Sequence, residues 1–288
     1  MKATTRKSLK TTMCAMATAL AALGAPAAHA TLINGIVDTW TVKVDAKFLT
    51  STVLWDDTNG SGGTTTVSDT QLVWGQPATS SGQSSLTLTD FNTTKQVATN
   101  GASVSNLTLT HANNPVTGRT LDQVSLSSTL TLTPFSPSAT GLSPVTLSFL
   151  INFDETTNNA NPCANGGANG TGVNSNGCGD IFVIDKDSLN FPFFYDLDGV
   201  GGPLQNQKYF ISFFEQTSGL TPLSTAACTA AGASTPCLGF VTPEQATTPA
   251  IFAALITTEP VTIPEPGTLA ILGLGLAGLG LMRGRRKA

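Results

Sequence analysis

Any acid–base or nucleophilic chemistry in this chain has to pass through one histidine. His111 is the only histidine beyond residue 30, and it stands in Thr110-His111-Ala112-Asn113, directly before Asn114-Pro115. A Ser-His-Asp or Cys-His enzyme needs such a base. No Gly-x-Ser-x-Gly elbow accompanies it, so the ring is expected to hydrogen-bond backbone at a strand end, where Asn113 and Asn114 shape a turn. The acids gather at Asp180, Asp185, Asp187, Asp196 and Asp198. Asp196-Leu197-Asp198-Gly199 resembles a fragment of a calcium loop, but the twelfth position from Asp196 is Gln207, where an EF-hand needs Glu. What remains is a non-EF calcium candidate, set against plain solvated turn aspartates. Asp154-Glu155 is a poor glycosidase pair, because adjacent strand residues point to opposite faces. Trp40, Trp55 and Trp74 could stack a sugar, yet tryptophans in early strands are more often core. The expectation is a non-enzymatic protein with no cofactor except, at most, calcium.

Four cysteines lie beyond the leader: Cys163, Cys178, Cys228 and Cys237. An even number in an exported chain points to disulfides, with three possible connectivities. Cys163–Cys178 and Cys228–Cys237 are the preferred pairs, since each closes a short loop rich in Gly, Asn, Ala or Thr. A zinc site would want paired C-x₂₋₄-C spacings, and neither pair has them.

The elements that must position these residues read as strands. Trp40, Val42, Val44, Ala46 and Phe48 alternate with polar neighbours. Leu86 and Leu88 do the same, as do Leu107 and Leu109, and Val124, Leu126, Leu130 and Leu132 share a face. Val145, Leu147, Phe149, Ile151 and Phe153 predict an inward row, while Ile181–Ile184 and Tyr209–Phe214 are apolar on both faces. Turn clusters separate them at Asp56–Gly60, Thr99–Gly101, Asn113–Pro115 and Gly166–Gly179. Many short alternating runs between turns predict an all-β antiparallel sandwich, with a jelly roll or closed barrel as variants. One helix is expected near the end, with Thr248 as cap, Pro249 in its first turn, and Ile251, Phe252, Leu255 and Ile256 on one face.

The ends carry addresses. Lys2, Arg6, Lys7 and Lys10 precede an apolar stretch from Met13 to Leu23 and a small-x-small site at Ala28-His29-Ala30. This is the pattern of a secretory signal peptide, residues 1–30, served by Sec-type export and signal peptidase. The other end reads Pro264-Glu265-Pro266, then 14 apolar residues from Leu269 to Met282, then Arg283, Arg285, Arg286 and Lys287. As a helix that run reaches roughly 21 Å, short for a bilayer core of about 30 Å. The basic end should stay cytoplasmic and leave residues 31–262 outside. That segment holds six basic and 17 acidic residues, a net of -11. Such a surface repels nucleic acid.

The tail resembles a PEP-CTERM sorting signal, residues 263–288. That likeness implies an exosortase partner, a Gram-negative host, an inner-membrane-anchored intermediate, and release to the cell envelope, surface or extracellular matrix, in company with surface polysaccharide. A second resemblance is to the THxN family of PEP-CTERM proteins, carried by Thr110, His111 and Asn113 and by the Leu-Thr-Leu-Thr run before them. It also covers Phe153–Asn158 with Glu155-Thr156, Cys178–Val183, and the later cysteine pair with Gly239-Phe240. The family supplies a location, with no biochemical activity to carry over. The expected role is a surface or biofilm-matrix protein; the alternative is a secreted carbohydrate- or calcium-binding module.

Overall fold

A computed structural model describes residues 35–58, 60–184, 190–198, 206–217 and 221–261. The expected leader, the tail with Pro264, Glu265 and Pro266, and the calcium candidates Asp185 and Asp187 lie outside the described residues. Among those residues no helix is long and apolar enough to cross a membrane.

In chain order the strands are β1 (Thr39–Asp56), β2 (Thr66–Val67), β3 (Gln71–Trp74), β4 (Gln76–Pro77), β5 (Ser84–Thr89), β6 (Asn92–Ala98), β7 (Val104–Asn113) and β8 (Val116–Thr117). They continue as β9 (Thr120–Ser136), β10 (Val145–Asp154), β11 (Asp180–Ile184), β12 (Asn190–Tyr195) and β13 (Gln207–Glu215). The last are β14 (Thr221–Pro222), β15 (Leu238–Thr242) and β16 (Ala246–Thr257), and one short helix, α1 (Thr225–Ala230), lies between β14 and β15. One sheet runs β14-β15-β11-β10-β9-β1-β6, the other β12-β13-β16-β7-β5-β3-β2, all antiparallel. β4 and β8 pair separately. The chain is the expected antiparallel β-sandwich.

Alternation builds the core. Trp40, Val42, Val44, Ala46 and Phe48 of β1 are all buried, facing Leu86, Leu88, Leu107 and Leu109 of the other sheet in one continuous cluster. Burying each such side chain is worth about 1.5–3 kcal/mol relative to leaving it in water. Trp40 is the aromatic hub, with Phe193, Tyr195 and Tyr209 each edge-on at 5.3 Å. Its indole N–H donates to Thr99 Oγ1 at 3.1 Å. The β10 row enters the core obliquely. Val145 is 53 % exposed and Leu147 half-buried, whereas Phe149, Ile151 and Phe153 are buried. Val145 and Leu147 line a small cleft with Leu130, Leu132, Phe191 and Ile211, so the expected inward row is buried only from its middle onward.

The helix expected around Thr248–Ile256 is instead strand β16, hydrogen-bonded between β7 and β13. In a dense apolar run the helical spacing and the two-residue spacing are both satisfied. Here the period of two wins: Ala250, Phe252, Ala254 and Ile256 are buried while Ile251 and Leu255 are partly exposed. Pro249 is tolerated because the pairing with β13 stops at Phe252. The Ile251 N–H turns away from β7 to Glu215 Oε1. Pro249, two residues earlier, presents its N–H-free nitrogen on that same open side.

The cysteines form Cys163–Cys178 and Cys228–Cys237, closing loops of 15 and 9 residues. The first pins the coil ahead of β11, where Asn169 Nδ2 donates to the carbonyls of Asn158 and Ala160. The second ties α1 to the entry of β15, with Ser224 capping α1 by accepting from the Ala227 N–H at 3.1 Å. Replacing Cys163 and Cys178 together by serine is expected to cost about 3 kcal/mol, and Cys228 with Cys237 slightly less. Denaturant melts under oxidising conditions check both; a loss below about 1 kcal/mol would mean that the loop polar network alone holds each segment.

Candidate functional site

Six buried polar residues, His111, Asn113, Thr156, Asp180, Thr242 and Glu244, gather at one end of the sandwich, between the sheets. β7 contributes the first pair. Successive strand residues alternate sides, so His111 and Asn113 point inward, both buried, while Thr110 and Ala112 are partly exposed. Of the Thr-His-x-Asn motif, Thr110 therefore stays out of the site. The opposite sheet contributes Asp180, first residue of β11, and Thr242, last residue of β15, which are paired partners. Gly179 permits their approach: a Cβ there would stand 2.6 Å from the Thr242 carbonyl oxygen. Glu155 and Thr156 follow directly on the end of β10, and Glu244 sits in the turn from β15 to β16, with Gln245 at φ 59°.

Two of the hydrogen bonds between the sheets meet at Thr242. His111 Nδ1 lies 2.9 Å from Thr242 Oγ1, and Asn113 Nδ2 donates to the Thr242 carbonyl at 3.1 Å. The Thr242 hydroxyl donates to the Asp180 carbonyl at 3.2 Å. With that proton spent on the carbonyl, the Nδ1–H tautomer is the assignment that completes the His111–Thr242 bond. Nε2 then carries a bare lone pair, 3.8 Å from Asp180 Oδ2. Trp74 stacks on the imidazole at 5.7 Å and Phe153 meets it edge-on at 5.0 Å. The Trp74 indole N–H donates to Glu155 Oε2 at 2.7 Å, and the Thr156 N–H donates to Asp180 Oδ1 at 2.9 Å.

Glu155, Asp180 and Glu244 each bring a buried carboxylate oxygen within 4.8 Å of the other two. Glu155 as a residue keeps some exposure, because it also lines a cleft of about 410 Å³ with Asp56, Asp154 and Thr156. Burial raises the Glu155 carboxyl to about 8, helped by the charges of Glu244 and Asp154 and opposed by the Trp74 donor. Burial, then the Glu155 charge, pushes Asp180 well above its usual range. Burial lifts Glu244 to about 7 against the Gln245 N–H, and burial lowers His111 to about 3. Asp154, nearer the surface, rises to about 6 through burial and the charges of Asp56 and Asp122.

Of the sequence-predicted acids that lie among the described residues, Asp180, Asp196 and Asp198, the structure brings only Asp180 into this cluster. Asp196 and Asp198 follow β12, in the other sheet, one partly and one fully exposed. Among the described residues Glu155, Asp180 and Glu244 are the group able to hold one ion. Glu244 and Thr242 carry no local sequence signal, and Glu155 was set aside as half of an adjacent pair. The usable signal lay in the segments around Thr110–Asn113, Phe153–Asn158 and Cys178–Val183, each of which leads into the cluster. Trp40 and Trp74 are fully buried and Trp55 is partly exposed, so the tryptophans make no exposed platform.

A PEP-CTERM protein-sorting motif matches residues 262–287. No curated protein matches the chain.

The raised carboxyls keep protons in the folded state that the unfolded chain releases above about 4.5, so their contribution falls as pH rises toward about 8. His111 acts oppositely: folded at about 3 and unfolded at 6.5, it withdraws stability as pH falls between those values. Three carboxyls outweigh one imidazole. With divalent ions chelated, the protein is expected to unfold at lower urea at about pH 8 than at about pH 5, and Glu155→Gln or Glu244→Gln should flatten that slope. A midpoint rising toward pH 8 would refute the protonated cluster.

Proposed function

We propose that this chain is an exported, non-enzymatic surface protein that an exosortase system sorts to the envelope and its extracellular polymer. The carrying observation is the sorting motif at residues 262–287. That motif supports export, an exosortase partner and delivery to the cell envelope. The finer parts of the reading are membership in the THxN family, a leader at residues 1–30, a membrane-held intermediate anchored by Leu269–Met282, and final residence in biofilm matrix.

The geometry around His111 supports a structural rather than a catalytic histidine. In a nucleophilic triad the hydroxyl donates its proton to Nε2 and the acid holds Nδ1. Here the polarity is reversed: Thr242 accepts at Nδ1 and sends its own proton to the Asp180 carbonyl. His111 is 2 % exposed, and Thr242 and Asp180 are 0 % exposed. A substrate has no route to the hydroxyl. The sugar-binding alternative loses its tryptophan platform for the same reason of burial. The acidic surface of residues 31–262 disfavours nucleic acid as a partner.

Proline favours the extended backbone a peptidase cleft accepts, which supports Pro264-Glu265-Pro266 as the recognised segment. Replacing Pro264, Glu265 and Pro266 by alanine is expected to leave full-tail protein in the inner membrane. Membrane fractionation with intact mass of each fraction reads the outcome. Unchanged processing and unchanged surface delivery would overturn the sorting role.

A further inference from the structure

We propose that Asp180, Glu155 and Glu244, with His111 Nε2 drawn in from beside Asp180 as a fourth donor, form a structural site for one divalent transition ion, of the Zn²⁺ or Mn²⁺ class, that clamps the two sheets together. The proposal stands independently of the sorting reading.

Three observations carry it. First, the carboxylate oxygens lie within 4.8 Å of one another, about the span of one coordination sphere with metal–oxygen bonds of about 2.1–2.4 Å. Second, the buried polar atoms without a partner include His111 Nε2, Asp180 Oδ2 and both oxygens of Glu244. The hydrogen-bond chain leaves Nε2 as an acceptor 3.8 Å from Asp180 Oδ2. That distance is too long for a shared proton and close to the roughly 3.4 Å ligand–ligand edge of a tetrahedral zinc site.

Third, the companion atom of three of the four ligands is already held. Nδ1 of His111 is held by Thr242, Oδ1 of Asp180 by the Thr156 N–H, and Oε2 of Glu155 by the Trp74 indole. Metal-binding imidazoles and carboxylates are oriented by this kind of outer partner.

The donor set chooses the ion. Calcium takes oxygen ligands, whereas an imidazole nitrogen suits zinc, copper, iron or nickel and carboxylates suit manganese. The site is enclosed by Trp74 and Phe153 and offers no open position, as structural metal sites do. The cleft beside Glu155 gives the ion its way in from solvent. The ligands come from β7 on one sheet, from the ends of β10 and β11 on the other, and from the turn between β15 and β16. One ion would therefore join both sheets at the end where the polar cluster lies.

The test uses the exported protein, recovered with its disulfides intact. Elemental analysis before and after dialysis against a chelator is followed by titration with ZnCl₂, MnCl₂ or CaCl₂. Expected is one Zn²⁺ or Mn²⁺ per chain, with a rise in Tm on the order of 10 °C at a thousandfold excess over Kd. Glu244→Gln should weaken binding more than about 100-fold, and Thr242→Val, which removes the partner of Nδ1 together with the bond to the Asp180 carbonyl, about 10–100-fold. Should those variants fail to fold, Co²⁺ added to the unaltered protein should give visible bands of a site with a nitrogen ligand. No stoichiometric zinc, manganese or cobalt overturns the proposal. So does binding of calcium alone, or binding undiminished in folded Glu244→Gln.

Discussion

A carboxylate cannot stay ionised in a dry interior without a counter-charge, and this sandwich places three of them around one point. At 4.8 Å or less, each ionised pair would repel by about 3.5 kcal/mol or more even at an effective dielectric of 20. Three pairs would then cost about 10 kcal/mol, the size of a whole domain's net stability. The fold therefore depends on what neutralises the cluster. Protons can do it, and the raised carboxyl values express that solution. A divalent ion can do it too, and it would also engage the imidazole nitrogen that faces Asp180. The two solutions differ in consequence. Protons leave this end of the sandwich held by hydrogen bonds, whereas a cation would tie both sheets through shared ligands.

The rest of the architecture serves to bring those groups together. β11 and β15 run side by side so that Asp180 and Thr242 are paired, and Gly179 lets the Thr242 carbonyl come close. One disulfide fixes the coil that ends at Cys178, two residues before Asp180. The other fixes the entry of β15 at Cys237, five residues before Thr242. Each bridge thus shortens the free chain leading into the cluster. The loop entropy removed from the unfolded state falls on the segments whose placement costs most. Trp74 works on two sides at once, with its ring over the imidazole and its N–H on Glu155. That is why a residue type first weighed as a sugar platform is fully buried.

Much of the fold was legible because strand periodicity is local. The alternation of Trp40 through Phe48 needed nothing beyond the chain to be read, and the short cysteine loops suggested their own closure. What failed was where local spacing is degenerate. Thr248–Ile256 is apolar enough to satisfy either period, and its flanking partners β7 and β13, distant in sequence, decided for the strand. Val145 shows the converse. The period was right, but how deeply each position is covered is a tertiary fact. The site was half legible. His111 and Asn113 stood out by type and motif and Asp180 by its acidic neighbours. Glu244 lies far from all of them in sequence, with only a turn to mark it. Glu155 was dismissed by a sound rule about adjacent residues. That rule excludes Asp154 as its partner and says nothing about partners from other strands.

The polarity of the His111–Thr242 bond bears on how this domain could have come to hold so costly a cluster. A histidine kept for catalysis must accept a proton, so it needs a free nitrogen aimed at a hydroxyl and a path for substrate. This one donates to its hydroxyl, is stacked under Trp74, and turns its free nitrogen toward carboxylates. The proposed cation would draw on each of these contacts. Charged residues are only 11 % of the chain, so exposed ion pairs can contribute little. The ion pair Arg119–Asp57 is solvent-facing, and such pairs are worth at most about 1 kcal/mol. A buried cation on four ligands would give the protein, once outside the cell, a cross-link that its sparse surface charges cannot supply. It would also explain why the domain tolerates, at its driest point, a set of side chains that is unfavourable in any other state.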